Sequence, residues 1–529
     1  MYSEGKLIIG KSEKGEVAIY PKMANRHGLI AGATGTGKTT TVKTVAEAFS
    51  EAGVSVFLAD VKGDLSGIAK AADRSDGVKY PTNIFDVYGE MGMPLRTTIS
   101  EMGPTLLSRI LDLNQTQSDL LAIVFKIADD EGLLLIDIKD LRSMLTYVND
   151  NASEYSSTYG NIAKSSITTI IRALIALESE GGDMFFGEPA IDIMDWIGTD
   201  ASGRGYIQLL DCQKLILNPT MYSTLLLWML SEIYETLPEV GDMDKPRLVF
   251  FFDEAHMLFD NASRALLSKI EQVVKLIRSK GVGIYFITQN PSDIPNGVLA
   301  QLSNKIQHAL HAYTPAEQKA IKAAADSFRV NPEFKTAEKL EELGIGEALV
   351  SVLDEAGVPT VVEITKIDLP HSSMKPINMN ERDEVVYSSP LFDKYSEAVD
   401  RYSAYEELNG KSGEGSRYGK SATTETEEVP ETEEEDDDPR KAYARAHKIS
   451  SSTGAKQGKS TSRSTKSSGR RQKSASEKIV RSVANTAAGT IGREVGNSFG
   501  KSVGGSFGRR LGGNVGATLA RGIMGTFLK

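Results

Sequence analysis

Up to about residue 408, the chain alternates short apolar runs with longer stretches of helical periodicity. Four runs rich in β-branched and aromatic residues are apolar at successive positions, as strands covered on both faces of a sheet must be. These runs are 28–32, 54–60, 248–253 and 282–288. Strands that alternate with helical stretches are typical of α/β proteins, so the pattern predicts an α/β fold with a mainly parallel sheet.

Four weaker runs are further strand candidates. Residues 206–210 and 305–310 would extend the sheet, and residues 348–353 with 360–364 would form a closing hairpin or an edge pair. All four are short and rich in β-branched residues or leucine, which is why we count them as strands.

A long stretch from about 95 to 197 separates the second strong run from the third, and it has helical periodicity. A structureless loop of that length would be unusual in a compact domain. We therefore predict an inserted helical subdomain at 95–197, between two parts of one core at 1–94 and 198–408. Two roles stay open for the insert, a packing cover for the sheet or a gate for the substrate.

The composition changes abruptly near residue 410. Residues 409–475 are rich in Ser, Thr, Gly, Glu, Lys and Arg and contain few apolar residues. Such a segment cannot bury enough apolar surface to offset the entropy of ordering, so we predict a disordered charged linker. In the remaining segment, 476–529, apolar residues recur at every fourth position from Ile479 to Phe527, with small residues one step behind.

This four-residue repeat constrains the structure of the tail, 476–529. The repeat drifts by about 40° per step around a straight helix, so one straight amphipathic helix is not expected. Rows of small residues let helices approach closely, which predicts a basic, glycine-zipper-like tail that self-associates or forms a helical hairpin. Its basic residues would let it bind a membrane surface or a protein partner. A poorly ordered glycine-rich tail is the alternative.

The net charge of −11 conceals a strong asymmetry. Residues 425–438 carry ten acidic side chains and no basic ones, whereas residues 440–529 carry nineteen Lys or Arg and two Glu. The preceding body is acidic, which does not favour a general surface for duplex DNA. The basic tail is the better candidate for binding polyanions.

Three features bear on the cellular compartment. The single cysteine, Cys212, has no partner for an intrachain disulfide, and the N-terminal residues lack the pattern of a signal peptide. No run of about 18 apolar residues is present. We predict a cytoplasmic protein without a transmembrane helix, with the tail as the segment that would hold it at the inner face of the membrane.

The most specific motif is a glycine-rich loop after the first strong run. It matches the full Walker A pattern G-x-x-x-x-G-K-[ST] and precedes a helical stretch. In that context the loop N–H groups bind phosphates, Lys38 bridges the β- and γ-phosphates, and the Thr39 hydroxyl binds magnesium. The residues predicted to bind the nucleotide are Gly32, Ala33, Thr34, Gly35, Thr36, Gly37, Lys38, Thr39 and Thr40.

A Walker B pattern follows from the third strong run, which ends in two acidic residues. Asp253 is predicted to join Thr39 at the magnesium ion, and the adjacent Glu254 is predicted to polarise a water molecule for attack on the γ-phosphate. The pair therefore predicts hydrolysis and not binding alone. His256 completes a DEAH string, which does not by itself identify a helicase.

Two further candidates flank the fourth strong run. Gln289 follows it, at the end of the strand where ligands bind in such sheets, and is predicted to sense the γ-phosphate. Arg278 precedes it and either neutralises transition-state charge from a neighbouring subunit or is a solvated helix residue. The predicted catalytic residues are Glu254, Lys38, Gln289 and Arg278.

Four strings together resemble one protein family. They are NRHGLIAGATGTGKT at 25–39, ADVKGDLSG at 59–67, LVFFFDEAH at 248–256 and KLIRSKGVGIYFITQNPSDIP at 275–295. On these strings, the chain up to about residue 408 resembles the HerA/FtsK superfamily of ring-forming motor ATPases, most closely the bacterial YjgR-like group with a HerA-like helicase domain.

The resemblance carries several implications of its own. It implies a RecA-like P-loop NTPase core with an extra strand between the two phosphate-site strands, and ATP as the nucleotide. It implies a hexamer that uses Arg278 in trans. It also places Asp60 and Lys62 close to the site.

Two hypotheses of different classes follow. The first is an Mg²⁺-dependent ATPase that converts ATP to ADP and phosphate, built as a HerA-like ring, with DNA translocation or a helicase-type activity as its work. The second is a nucleotide-gated scaffold whose tail mediates self-association, membrane-surface or partner attachment without DNA translocation.

Overall fold

The computed structural model describes residues 1–259, 264–312 and 314–410, which fall within one compact unit. The predicted linker, apart from its first two residues, and the whole predicted tail, 476–529, lie outside the described residues.

In the described part of the chain, thirteen strands form one sheet. The strands are β1 (Tyr2–Ser3), β2 (Lys6–Ser12), β3 (Gly15–Ile19), β4 (Gly28–Ala31), β5 (Ser55–Asp60), β6 (Thr82–Asp86), β7 (Met93–Pro94), β8 (Ile207–Asp211), β9 (Leu248–Phe252), β10 (Val282–Thr288), β11 (Asn304–Gln307), β12 (Glu347–Ser351) and β13 (Glu363–Ile367).

The strand order is β1-β2-β13-β12-β11-β4-β10-β9-β5-β8-β6-β7, with β3 paired to β2. All pairs from β11 to β7 are parallel. The other pairs, which involve β1, β2, β3, β12 and β13, are antiparallel. The predicted α/β fold with a mainly parallel sheet is confirmed, and β10 is the extra strand between β4 and β9.

The described residues also form α-helices. They are α1 (Lys38–Glu51), α2 (Ile99–Ile110), α3 (Gln115–Glu131), α4 (Ile138–Asp150), α5 (Ala152–Tyr159), α6 (Lys164–Leu177), α7 (Asp183–Phe185), α8 (Pro219–Thr236), α9 (Arg264–Leu276), α10 (Asn296–Leu299), α11 (Pro315–Asp326), α12 (Thr336–Glu342), α13 (Met379–Tyr387), α14 (Phe392–Tyr395) and α15 (Ala404–Leu408). None of the helices within the described ranges is long and apolar enough to cross a membrane.

The four strong apolar runs form β4, β5, β9 and β10, and their burial on both faces explains their composition. On one face of the sheet, Phe57 stacks on Trp196 with ring centroids 5.1 Å apart and contacts Phe250 at 5.0 Å. On the other face, Phe251 contacts Phe49 of α1 at 6.3 Å. Because both faces are covered, these strands are mainly apolar, and their buried polar side chains Ser55, Asp60 and Thr288 lie at strand ends.

The weaker runs are also strands, with shifted bounds. β11 ends at Gln307, where residues 305–310 were predicted, and β13 covers Glu363–Ile367, where residues 360–364 were predicted. The predicted pairing of 348–353 with 360–364 is present as the antiparallel pair β12–β13, but it is not at the edge of the sheet, because β13 also pairs with β2. Strands β1, β2, β3, β6 and β7 were not predicted, because β1 and β7 have only two residues each and β2, β3 and β6 mix polar residues or glycine with apolar ones.

Residues 95–197 contain α2 to α7 and a short helical turn that ends at Trp196. Three of these helices begin with reciprocal capping by a side chain and the residue three positions later, at Thr98, Asn114 and Asp137. Such caps satisfy N–H groups that would otherwise lack partners and define sharp helix starts. The fully buried Trp196 contacts the sheet through Phe57. Whether this segment also gates a substrate stays a prediction.

Candidate active site

Four loops meet at one edge of the sheet. The parallel strands β4, β10, β9 and β5 are neighbours in that order, so their carboxyl ends lie side by side. The residues that follow these ends belong to the Walker A loop, the Gln289 position, the Asp253–Glu254 pair and the segment after Asp60. The fold therefore brings together residues that are far apart in sequence, at the edge where such sheets bind ligands.

The Walker A loop has a backbone that requires glycine. Gly32, Gly35 and Gly37 have φ values of 154°, 81° and 111°. A Cβ on Gly32 would also lie 2.5 Å from the Cβ of His308, so a side chain there would collide with the neighbouring strand end. The loop leads into α1 at Lys38, and its N–H groups lie at the positive end of that helix.

The Lys38 side chain folds back onto the Walker A loop. Its Nζ donates to the carbonyl oxygens of Gly32 at 2.6 Å and Ala33 at 3.0 Å. Burial lowers the pKa of Lys38, and nearby Lys62 lowers it further. The carboxylates of Glu254 and Asp253 oppose both effects. The ammonium group is thus held at the mouth of the loop, where a phosphate would lie.

The predicted magnesium ligands, Thr39 and Asp253, lie in this site, and Asp64 supplies a further carboxylate oxygen. The Thr39 hydroxyl donates to Asp64 Oδ2 at 3.0 Å. Burial, and then the nearby Glu254, raises the pKa of Asp253 to about 6. Hydroxyl and carboxylate oxygens suit Mg²⁺, which usually takes one or two protein ligands together with phosphates and water. The residues present therefore fit this ion. Asp64 was not predicted, although it lies in the string ADVKGDLSG.

Glu254 has a backbone conformation that is uncommon for a residue with a side chain. Its φ is 47°, in the left-handed region, where strain is often found at functional sites. One carboxylate oxygen, Oε1, lies 3.5 Å from Lys62 Nζ and accepts from Gln289 Nε2 at 3.4 Å. The other, Oε2, lies 3.5 Å from His256 Nδ1 but has no hydrogen-bond partner among the described residues. The carboxylate is directed into the cluster and not into solvent.

Gln289 and Arg278 lie at opposite ends of β10. Gln289 follows the strand and its side chain reaches the Glu254 carboxylate, whereas its role as a γ-phosphate sensor stays a prediction. Arg278 precedes the strand, is exposed, and its carbonyl oxygen accepts from Asn25 Nδ2 at 3.5 Å. The structure therefore does not bring Arg278 to the site of its own protomer.

The segment after β5 is shaped by Asp60. Its carboxylate accepts from the N–H groups of Gly63 at 2.7 Å and Leu65 at 3.1 Å. Burial, and then the neighbouring acids Asp64 and Asp211, raises the pKa of Asp60 to about 7. Asp60 thus positions the turn that carries Lys62 to Glu254. Motif reasoning placed both residues near the site but assigned them no contact.

His308 supports the Walker A loop from β11 and was not predicted. Its Nδ1 lies 2.9 Å from the carbonyl oxygen of Glu347, and its Nε2 lies 2.8 Å from the Thr41 hydroxyl of α1. Because a carbonyl oxygen can only accept, Nδ1 carries the proton and Nε2 accepts from Thr41. Burial lowers the pKa of His308 to about 4. A neutral imidazole therefore joins the loop, α1 and the start of β12.

We expect the His308 ring to stay neutral between pH 8 and pH 5, whereas an exposed histidine titrates near 6.5. In histidine-selective NMR spectra, its ring signals, assigned by their loss in His308→Gln, should not shift over this range. The unfolded chain takes up this proton first, so this group reduces folding stability as the pH falls from about 6.5 toward 4. A midpoint near 6.5 would contradict the buried, neutral arrangement.

Comparison with known proteins adds a family match. The family model for the helicase HerA-like C-terminal region matches residues 5–512. Curated relatives include the DNA double-strand break repair helicase HerA of Sulfurisphaera tokodaii, 24% identical over 382 residues, which covers 70% of this chain and 71% of the relative. The HerA of Sulfolobus acidocaldarius is 23% identical over 418 residues, which covers 73% of this chain and 76% of the relative.

Similar solved structures include two proteins at low identity. The bacterial conjugative coupling protein TrwB has a TM-score of 0.48 and 14% identity, and the match covers 72% of this chain and 92% of that chain. VirB4 of Thermoanaerobacter pseudethanolicus has a TM-score of 0.46 and 18% identity, with 70% of this chain and 98% of that chain covered.

Proposed function

The chain belongs to the helicase HerA-like C-terminal family, and from this premise we propose that it is a ring-forming motor that couples ATP hydrolysis to the movement or remodelling of DNA. It is a P-loop ATPase with ATP as its substrate and Mg²⁺ as its cofactor. The curated relatives from Sulfurisphaera tokodaii and Sulfolobus acidocaldarius are named as DNA double-strand break repair helicases, which supports DNA as the polymer.

One observation carries the proposal of catalysis. The Walker A loop, the Asp253–Glu254 pair and Gln289 lie at the ends of three adjacent parallel strands, β4, β9 and β10, with the Gln289 side chain 3.4 Å from the Glu254 carboxylate. A loop that binds phosphates and a carboxylate held beside it by an amide are the parts that NTP hydrolysis needs.

We assign the roles as follows. The loop N–H groups and Lys38 hold the triphosphate and oppose the charge that develops on it. The Glu254 carboxylate takes a proton from the attacking water, whose oxygen forms the new bond to the γ-phosphorus while the bond to the β-phosphate oxygen breaks. Gln289 links Glu254 to the γ-phosphate position. Thr39 and Asp253 would hold Mg²⁺, which supplies positive charge to the phosphate oxygens when bound.

The ring assembly rests on Arg278 and on family membership. Arg278 is exposed and precedes β10, at the end of that strand away from its own Walker A loop, so any catalytic role for it requires the nucleotide of a neighbouring protomer. An arginine supplied in trans would make hydrolysis depend on assembly. We propose a homo-oligomer, with a hexamer favoured.

The scaffold function is kept as a second candidate because of the charge asymmetry. The nineteen basic residues of 440–529 follow the acidic body in sequence, and on this candidate they bind an anionic membrane surface or a partner protein. On that alternative, ATP binding orders the oligomer, and the tail attaches the oligomer to the membrane surface or to the partner protein.

Steady-state ATP hydrolysis with and without single- and double-stranded DNA tests the proposal. We expect DNA to stimulate turnover several-fold, with Glu254→Gln as the blank. The same assay on a chain that ends at residue 409 separates core from tail, since a motor core keeps its stimulation. Turnover that is slow and indifferent to DNA in both chains would contradict the motor and favour the scaffold.

A further inference from the structure

An apolar side chain stands exposed beside the Walker A loop. Ile345 is 86% exposed and lies in the turn Gly344–Gly346, immediately before β12. Single exposed apolar residues are common on protein surfaces, so exposure alone means little. Ile345 differs from other exposed apolar residues because its turn lies next to the Walker A loop.

The turn is fastened to the loop. The Gly346 N–H donates to the carbonyl oxygen of Thr36 at 3.0 Å. A Cβ on Gly37 would lie 3.1 Å from the Gly346 nitrogen, so the two backbones are in close contact. The Gly344 N–H donates to Glu347 Oε2 at 2.9 Å, which holds the other end of the turn. Ile345 is therefore presented at a defined place next to the phosphate-binding backbone.

A second exposed apolar residue lies on the adjoining segment. The Ile367 N–H, at the end of β13, donates to the Gly346 carbonyl oxygen at 2.9 Å. Two residues later, Leu369 is 59% exposed. Between them, the Asp368 carbonyl oxygen accepts from the Thr44 hydroxyl of α1 at 2.7 Å. Ile345 thus lies next to a residue bonded to the Walker A loop, and Leu369 lies next to a residue bonded to the second turn of α1, on two segments that are hydrogen-bonded to each other.

The strand order gives the direction in which a bound nucleotide extends. Glu254 and Gln289 follow β9 and β10, which lie on one side of β4, so the γ-phosphate end lies on that side. Strands β11, β12 and β13 lie on the other side of β4. With its γ-phosphate toward Glu254, a triphosphate on the Walker A loop would extend its ribose and base away from β9 and β10, which is the side of β12 and β13.

We propose that Ile345 and Leu369 form the nucleobase-binding subsite for ATP. The proposal rests on the proposed nucleotide site, and it deepens it by assigning the residues that contact the purine ring. Aliphatic side chains beside a planar ring remove apolar surface of both from water, which favours binding without any hydrogen bond. Lys38 and the loop would bind the phosphates, and Ile345 and Leu369 would bind the base.

Calorimetry on the full chain with two probes, MgATP and magnesium tripolyphosphate, tests the subsite. We expect Ile345→Ser to weaken MgATP binding about tenfold and to leave tripolyphosphate binding unchanged, because only ATP carries a base. Ile345→Leu, which keeps the apolar surface, should bind ATP like the original chain. Leu369→Ser should show the same selective loss.

Val330→Ser is the matched control. Val330 is 72% exposed. The carbonyl oxygen of its neighbour Arg329 accepts from the N–H of Val362, and Val362 precedes β13 at the end of that strand away from the Walker A loop. This variant should bind both probes normally.

Three results would overturn the subsite. One is unchanged ATP affinity in both Ile345→Ser and Leu369→Ser. Another is an equal loss for ATP and tripolyphosphate, which would mean that the turn only supports the loop. The third is altered assembly with unaltered affinity, which would make Ile345 a contact between protomers. If the original chain bound neither probe, the nucleotide site itself would be wrong, so the two failures are distinguishable.

Discussion

Lys38→Ala should abolish the binding of MgATP at concentrations that saturate the original chain. The side chain places an ammonium group against the Walker A loop, 2.6 Å from the Gly32 carbonyl oxygen. Charge-assisted hydrogen bonds to phosphate contribute roughly 1.5–3 kcal/mol each, so the loss of two corresponds to about 100-fold or more in affinity. Calorimetry with MgATP measures this directly.

A thermal-shift experiment gives an independent readout of Lys38. Ligand at about 100 times its dissociation constant stabilises the folded state by about 2.7 kcal/mol, and this stabilisation should disappear in Lys38→Ala. Lys319→Ala, which removes an exposed lysine from α11, is the matched control and should keep the full shift. Because Lys38 also bonds the loop carbonyls, circular dichroism must first show that the variant is folded. Normal ATP affinity in a folded variant would refute the Walker A assignment.

Glu254→Gln should separate binding from hydrolysis. The amide keeps the size of the side chain and its contact with Gln289, but it cannot take a proton from water at neutral pH. General-base catalysis contributes about 10²- to 10⁴-fold, so turnover should fall at least 100-fold while ATP affinity stays close to that of the original chain. Phosphate release under saturating MgATP, together with calorimetry, measures both quantities.

The control for Glu254→Gln is Glu239→Gln. Glu239 is exposed and lies in the segment before β9, so the same chemical change is made away from the site. It should leave turnover and affinity unchanged. Near-normal turnover in Glu254→Gln would move the general base elsewhere, and a parallel loss of ATP binding would show that the carboxylate acts mainly in holding the site together.

Two side chains together orient the Glu254 carboxylate. Lys62 and Gln289 both reach the same oxygen, at 3.5 and 3.4 Å. The lysine comes from the turn positioned by Asp60, and the glutamine immediately follows β10. The orientation of the carboxylate therefore depends on two loops that are separate in sequence.

The sequence by itself determined the parts of the protein whose chemistry is local. The Walker A loop, α1 and the acidic pair after β9 were predictable because phosphate binding and metal binding need contiguous backbone and adjacent side chains. The four strong strands were predictable because burial on both faces demands unbroken apolar runs. Of the five missed strands, two have only two residues each, and the other three mix polar residues or glycine with apolar ones, so none shows an unbroken apolar run.

Only the tertiary structure decided which distant residues meet. The contacts of Thr39 with Asp64, Glu254 with Lys62 and Thr41 with His308 join segments that carry no shared pattern. The same holds for Ile345. It lies beside the Walker A loop because β12, which follows it in sequence, is the second strand from β4 in the sheet. Strand order sets these contacts, and strand order arises from the packing of the whole sheet, which no local run of residues encodes.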